Sequence, residues 1–149
     1  MAIQVGDKAP DIKSSEFKLS DHKGKRVVVF FYPKSDTPGC TKEACDFRDS
    51  ETAIKKTGAV ILGVSLDDEA AHQKFIAKYS LPFSLLCDTE AKVSKAYGVY
   101  KQKSMYGRKY WGIERSTFVI DKAGVVTAAF RKVKVDGHAD EVLAALKAL

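Results

Sequence analysis

Arg26-Val27-Val28-Val29-Phe30-Phe31-Tyr32, running into Pro33-Lys34-Ser35-Asp36-Thr37-Pro38-Gly39-Cys40, is the stretch on which the fold turns. A continuous β-branched and aromatic run without polar alternation is the pattern of a strand covered on both faces. It stops at Pro33, and the polar, Pro- and Gly-containing segment that follows reads as a loop entering a helix. Thr37 suits the N-cap and Pro38 the first helical position, where a missing N–H costs nothing. Cys40, Ala44, Phe47, Glu51 and Ile54 then recur at helical spacing, so Cys40 lies in the first turn on a mostly apolar stripe. Gly58 reads as the C-terminal stop.

Upstream, residues 3–20 look irregular, with a short strand over Phe17–Leu19 and a turn at Asp21-His22-Lys23-Gly24. Downstream, Ala59–Leu66 is a second buried strand, and Asp67-Asp68-Glu69 opens a helix to about Tyr79 with Phe75 and Ile76 inward. Phe83–Cys87 reads as a short strand. Asp88-Thr89 caps a helix ending at Gly98, and Lys101–Gly112 is a basic, aromatic loop. Ser116–Ile120 and Val125–Phe130 form a hairpin over Asp121–Gly124. Arg131-Lys132-Val133-Lys134 continues an edge strand whose lysines block unwanted pairing. The last helix, Gly137–Leu149, buries Val142, Leu143, Leu146 and Leu149. Alternating strands and helices predict an α/β fold, a central mixed sheet flanked by helices. Ligands of such sheets sit beyond the carboxyl ends of the strands, which puts the chemistry in segment 33–40.

A length of 149 residues suits one domain over 1–149, able to bury about two-thirds of its unfolded surface without covalent staples. Lys+Arg 25 against Asp+Glu 19 gives a net charge of +6, which raises nucleic acid as a partner class. No recognised nucleic-acid motif accompanies it, so neither nucleic acid nor membrane is expected as a partner. The longest apolar run, Val27–Tyr32, is far short of the ~20 residues that span a bilayer. Asp7, Lys8 and Asp11 interrupt the N-terminus before a signal sequence can form, so the expected compartment is a reducing cytoplasm. There, 3 cysteines point to chemistry rather than to a disulfide framework.

Cys40 is the candidate nucleophile. A first-turn position favours the thiolate through unpaired N–H groups and the macrodipole. Thr37 offers a hydroxyl, and Arg115 stands where a long, permanently charged side chain with several donors can reach the site. Cys45 lies on the same helix, where positions five apart are about 8–9 Å between Cα atoms. A disulfide needs less than ~7 Å. The two thiols therefore cannot join while the helix is intact.

The segment Phe31-Tyr32-Pro33-Lys34-Ser35-Asp36-Thr37-Pro38-Gly39-Cys40-Thr41-Lys42-Glu43-Ala44-Cys45-Asp46-Phe47-Arg48-Asp49 resembles the active-site signature of the peroxiredoxins, specifically the peroxiredoxin Q or bacterioferritin comigratory protein subfamily. The similarity extends through Gly63-Val64-Ser65, Leu85-Leu86, Tyr106-Gly107-Arg108 and Ile113-Glu114-Arg115-Ser116-Thr117-Phe118. It implies a thioredoxin-like fold and reduction of hydrogen peroxide and organic hydroperoxides without metal, flavin or other cofactor. On this resemblance Cys40 attacks the peroxide O–O bond and becomes a sulfenic acid. Thr37 and Arg115 position the peroxide, Pro38 shields the pocket, and the amides of Gly39 and Cys40 serve the same oxygens. Cys45 matches the resolving cysteine, closing an intramolecular disulfide that thioredoxin or a similar dithiol reduces. The subfamily is often monomeric, and a monomer is expected.

Other readings of these residues exist. A general thiol–disulfide oxidoreductase normally uses Cys-x-x-Cys, and the wider gap here disfavours it. A zinc site from Cys40, Cys45 and Cys87 lacks a fourth ligand at sensible spacing. Cys87 reads as a core thiol, with a secondary redox role as the alternative. His22, His72 and His138 lack ligand spacing with the cysteines and read as surface groups. Glu43 stands beside the face of Cys40 and is expected to orient it, while Arg115 has a carboxylate as an alternative partner. Tyr106, Tyr110 and Trp111 are expected to cover the rim of the site or face a partner.

Overall fold

The structure is a computed structural model that describes residues 3–149. Arg26–Phe31 forms β1, the middle strand of a five-stranded sheet. Beside it lie β2 (Ala59–Ser65) and then β3 (Ser84–Cys87), both parallel, and on its other side β6 (Ser116–Ile120) and β7 (Val126–Arg131), both antiparallel to their neighbours. The sheet is thus mixed, in the order β3-β2-β1-β6-β7. The hairpin expected over 121–124 is the β6–β7 connection.

The unbroken apolar run of β1 is explained by two cores. Val28, Phe30 and Tyr32 face α1 (Pro38–Lys56), α2 (Glu69–Tyr79) and α4 (His138–Lys147), and pack with Phe47, Ile54, Phe75, Val142 and Leu146. Val27, Val29 and Phe31 face the opposite way, onto Ile12, Phe17, Tyr97, Val99 and Ile113. Each such side chain contributes about 1.5–3 kcal/mol on full burial, so a polar residue at any position of β1 would be costly. α1 is the crossover joining parallel β1 and β2. It closes at Thr57, and Gly58 then takes φ +84°, a left-handed conformation that favours glycine.

Several local expectations are corrected. Phe17–Leu19 is not a strand: one bridge joins Lys13 to Lys18, and Leu19–His22 is a 3₁₀ turn. The N-cap position falls to Ala91 (φ +59°) rather than to Asp88-Thr89, although the Asp88 carboxylate still accepts the Val93 and Ser94 amides at 3.1 and 2.7 Å, and the helix is short, α3 (Lys92–Ala96). Lys101–Gly112 is not a loop. It forms β4 (Tyr100–Met105) and β5 (Arg108–Ile113), an antiparallel ribbon turning on Tyr106 (φ +52°) and Gly107 (φ +78°). Most of its side chains are exposed, so no in–out alternation marks the strands, and Tyr-Gly stands where Asn-Gly usually announces such a turn. The edge strand stops at Arg131, because Lys132 turns to φ +49°; the Arg131 guanidinium itself donates to the Ile3 carbonyl. Among the described residues no helix is long and apolar enough to cross a membrane.

Gly63 on β2 sits between the rings and methyls of its neighbours: a Cβ there would lie 2.6 Å from Leu85 Cδ2 and 2.8 Å from Phe30 Cζ. Gly63→Ala is therefore expected to cost about 1–3 kcal/mol of stability by overpacking, read as a lower denaturation midpoint at unchanged slope.

Candidate active site

Cys40, the candidate nucleophile, occupies the first turn of α1, beyond the carboxyl end of β1. Its neighbours Pro38 and Gly39 are exposed and Thr37 is half-buried, whereas Cys40 itself is only 2% exposed. Thr37 is the N-cap residue, yet its hydroxyl makes no capping bond; it donates to the Lys34 carbonyl at 2.7 Å. With its proton committed to the loop, the oxygen is left to accept from a ligand. The first amides of α1 have no intrahelical acceptor and converge on the same end of the helix.

Arg115 precedes β6, and its carbonyl accepts the Val133 amide at 3.0 Å, which fixes the backbone. Its guanidinium divides between two groups. Nη2 donates to Cys40 Sγ at 3.2 Å, and Nη1 donates to Glu43 Oε1 at 2.6 Å. Both readings of Arg115, reaching the thiol and pairing with a carboxylate, hold together. Gly39 makes room for this approach, since a Cβ there would come within 3.3 Å of Nη2.

Glu43, one helical turn from Cys40, is 1% exposed and does not touch the sulfur. It acts on Arg115. Its second oxygen, Oε2, is the one buried side-chain polar atom without a partner among the described residues. Burial pushes the Glu43 carboxyl up to about 7, against the pull of the Arg115 charge. Lys103 of β4 sits near enough for burial and the positive Arg115 to lower its pKa, while the Cys40 charge raises it.

The loop before α1 is tied from outside. The Ser35 amide donates to Asp67 at 2.7 Å, and Asp36 (φ +59°) accepts from Lys78 and from the Tyr79 hydroxyl at 2.9 Å. These two bonds hold the Asp36 carboxyl below its ordinary range. Cys45 is half-buried on the intact helix, and burial first of all raises its pKa. Both Cys40 and Cys45 are free thiols, and α1 is continuous across them.

The histidine expectation is overturned for two of the three. His72 and His138 are 1% and 2% exposed, and only His22 stays half-buried near the surface. His138 bonds Thr117 Oγ1 at 2.7 Å and packs on Phe47 and Phe130, serving the core beneath α1. His72 bonds Ser65 at 2.6 Å and Cys87 at 3.2 Å. Cys87 is accordingly not an apolar core filler but a half-buried thiol with a polar partner. On an α-helix with aromatic neighbours, either histidine reads like an exposed flank residue until the strand beneath it is known.

The AhpC/TSA family profile matches residues 5–129. Peroxiredoxin Bcp of Bacillus subtilis is 51% identical over 152 residues, covering 99% of this chain and 97% of that protein. The Xanthomonas campestris bacterioferritin comigratory protein, in a structure addressing its alkyl peroxide reduction activity, superposes with a TM-score of 0.85 at 48% identity, covering 89% of this chain and 84% of the other. A cysteine-to-serine variant of PrxQ from Xylella fastidiosa gives a TM-score of 0.90 at 37% identity over 99% and 98% of the two chains. The fold is thus the thioredoxin-like one of the peroxiredoxins, and the chain belongs to the AhpC/TSA family, within it to the peroxiredoxin Q/Bcp group of thiol peroxidases.

Proposed function

We propose that this chain reduces hydrogen peroxide and organic hydroperoxides through Cys40, resolves the product through Cys45, and is recycled by thioredoxin or a similar dithiol. The observation that carries the reading is the Arg115 guanidinium, shared between Cys40 Sγ and Glu43. The Cys40 thiolate attacks one peroxide oxygen, the O–O bond breaks, and the leaving oxygen departs as water or alcohol after taking up a proton. Arg115 and the first-turn amides stabilise the charge that develops on that oxygen. Thr37 accepts the peroxide proton bond and Pro38 screens the exposed side. The alkyl peroxide activity of the Xanthomonas campestris relative supports organic hydroperoxides as substrates.

The second half of the cycle needs motion. Cys40 is left as a sulfenic acid, and Cys45 condenses with it, forming the S–S bond and releasing water. At about 8–9 Å between Cα atoms this cannot occur on the helix, so the first turns of α1 must open. Opening breaks the Lys42–Asp46 pair and the Arg115–Glu43 bond, and it exposes Cys45, lifting the burial that raises its pKa. Capture by a thiol on the same helix precedes further oxidation and needs no second chain, which supports a monomer working as one domain. Recycling by a dithiol fits a reducing, cytoplasmic compartment. The gap between the two cysteines disfavours a general disulfide oxidoreductase.

Cys40→Ser is expected to abolish peroxide consumption, while Cys45→Ser completes one fast turnover and then stalls; full turnover by Cys40→Ser with thioredoxin present overturns the reading. Arg115→Lys keeps the charge but loses the two-way fork, and is expected to lower kcat/KM by roughly 10²–10³-fold in a peroxide-consumption assay.

Glu43 supplies a pH test. Its folded pKa, about 7, stands above the ordinary 4.5, so its neutral form favours the folded state. That contribution is complete below pH about 4.5 and is lost as pH rises through about 7. It amounts to about 3 kcal/mol at roughly 1.4 kcal/mol per pKa unit. Denaturant titrations of wild type and Glu43→Gln are expected to differ by a stability gap that changes across this window. A gap independent of pH would remove Glu43 as a titrating group.

A further inference from the structure

We propose that Glu16, His72 and Cys87 form a binding site for a zinc-like divalent cation, separate from the Cys40 centre. One ligand atom from each lies within 4.8 Å of the others. They come from three parts of the fold: the N-terminal segment, the buried face of α2 and the end of β3. His72 Nδ1 stands 3.2 Å from Cys87 Sγ, and Glu16 Oε2 accepts the Cys87 amide at 3.2 Å. In a tetrahedral site with metal–ligand lengths of about 2.0–2.3 Å, ligand atoms sit roughly 3.5 Å apart. The histidine and thiol are already there, and exposed Glu16 closes the remainder by side-chain rotation.

The histidine is built for the task. Asp67 is an acceptor, so the Ser65 hydroxyl donates to it (2.9 Å), and the Ser65 oxygen in turn accepts from His72 Nε2–H (2.6 Å). This fixes the neutral tautomer with its Nδ1 lone pair aimed at Cys87. A carboxylate oriented through a hydroxyl onto the far nitrogen is the support that metal-binding imidazoles usually have.

The charges point the same way. The Glu16 carboxylate, held on the Cys87 amide, already brings negative charge to this cluster, and a dication would meet it there. Binding replaces the thiol proton, forms bonds from sulfur, Nδ1 and the carboxylate oxygen, and releases one proton per ion. The Cys87 thiolate and the Glu16 carboxylate then neutralise the +2 charge. One thiolate, one imidazole and one carboxylate is a donor set for zinc rather than for calcium or magnesium. Cys87 also borders a groove of about 180 Å³ with Ser14 and Asp88, through which solvent reaches the thiol.

The test uses the reduced full chain carrying Cys40→Ser and Cys45→Ser, so that Cys87 is its one thiol, titrated with Co²⁺. Expected are one ion per chain, a thiolate-to-cobalt charge-transfer absorption, one proton released per ion, and displacement by Zn²⁺. Adding Cys87→Ser is expected to erase the band. Ser65→Ala, which touches no metal, is expected to weaken binding roughly 10–100-fold. Glu16→Gln, at an exposed position that does not endanger folding, is expected to weaken it at least about tenfold. No charge-transfer band at saturating Co²⁺, a band that survives Cys87→Ser, or affinity unchanged by both Glu16→Gln and Ser65→Ala would each overturn the site.

Discussion

A single guanidinium, that of Arg115, is held between a thiol and a buried carboxyl, and the candidate site exists only while both contacts last. Removing one partner from a buried ion pair leaves a charge without compensation, at a cost of about 3–5 kcal/mol. Here the balance is finer than a simple pair. Glu43 is poised near neutrality by its own burial, and one of its oxygens has no partner at all. The arginine is thereby aimed at the sulfur without being fully neutralised, which is what a group stabilising a developing oxyanion requires. Gly39 and the Val133 amide complete the arrangement, the first by yielding space and the second by fixing the backbone of Arg115.

Two demands on α1 conflict. Its first turn must be intact for Cys40, Glu43 and Arg115 to meet, and in the proposed cycle it must open for Cys40 to reach Cys45. The fold separates them along the helix. Phe47 and Ile54 anchor the later turns in the core, whereas Pro38 and Gly39 are exposed and are held mainly by loop contacts such as Ser35–Asp67 and Asp36–Tyr79. The end that must move begins with exposed Pro38 and Gly39, but Cys40, Glu43 and Ala44 behind them are buried, so opening has to lift those groups out of the core.

Asp67 sits at a junction. It accepts the Ser35 amide on the loop before α1 and the Ser65 hydroxyl that orients His72. The loop before the Cys40 centre and the support of the proposed cation site thus meet on one oxygen of that carboxylate, Oδ2. The two sites differ in what they ask of a cysteine. Cys40 lies at a helix N-terminus beside an arginine, whereas Cys87 lies beside an imidazole and a carboxylate.

Much of this was legible in local pattern. The run of β1 announced a two-sided strand, Thr37-Pro38 announced a helix start, and the positions of Cys40 and Cys45 on one helix already meant that no disulfide joins them while it is intact, because those features depend on spacing along the chain. The β4–β5 ribbon was not legible, since both faces are largely wet and its turn carries Tyr-Gly. Nor was the burial of His72 and His138, which depends on strands distant in sequence. The sequence by itself determined the candidate nucleophile, its helix and the family resemblance. Only the tertiary structure decided that Glu43 grips Arg115 rather than Cys40, and that His72 and Glu16 meet Cys87. Those contacts join residues as far apart as 72 and 71 positions, and no local periodicity records a partner brought across a sheet.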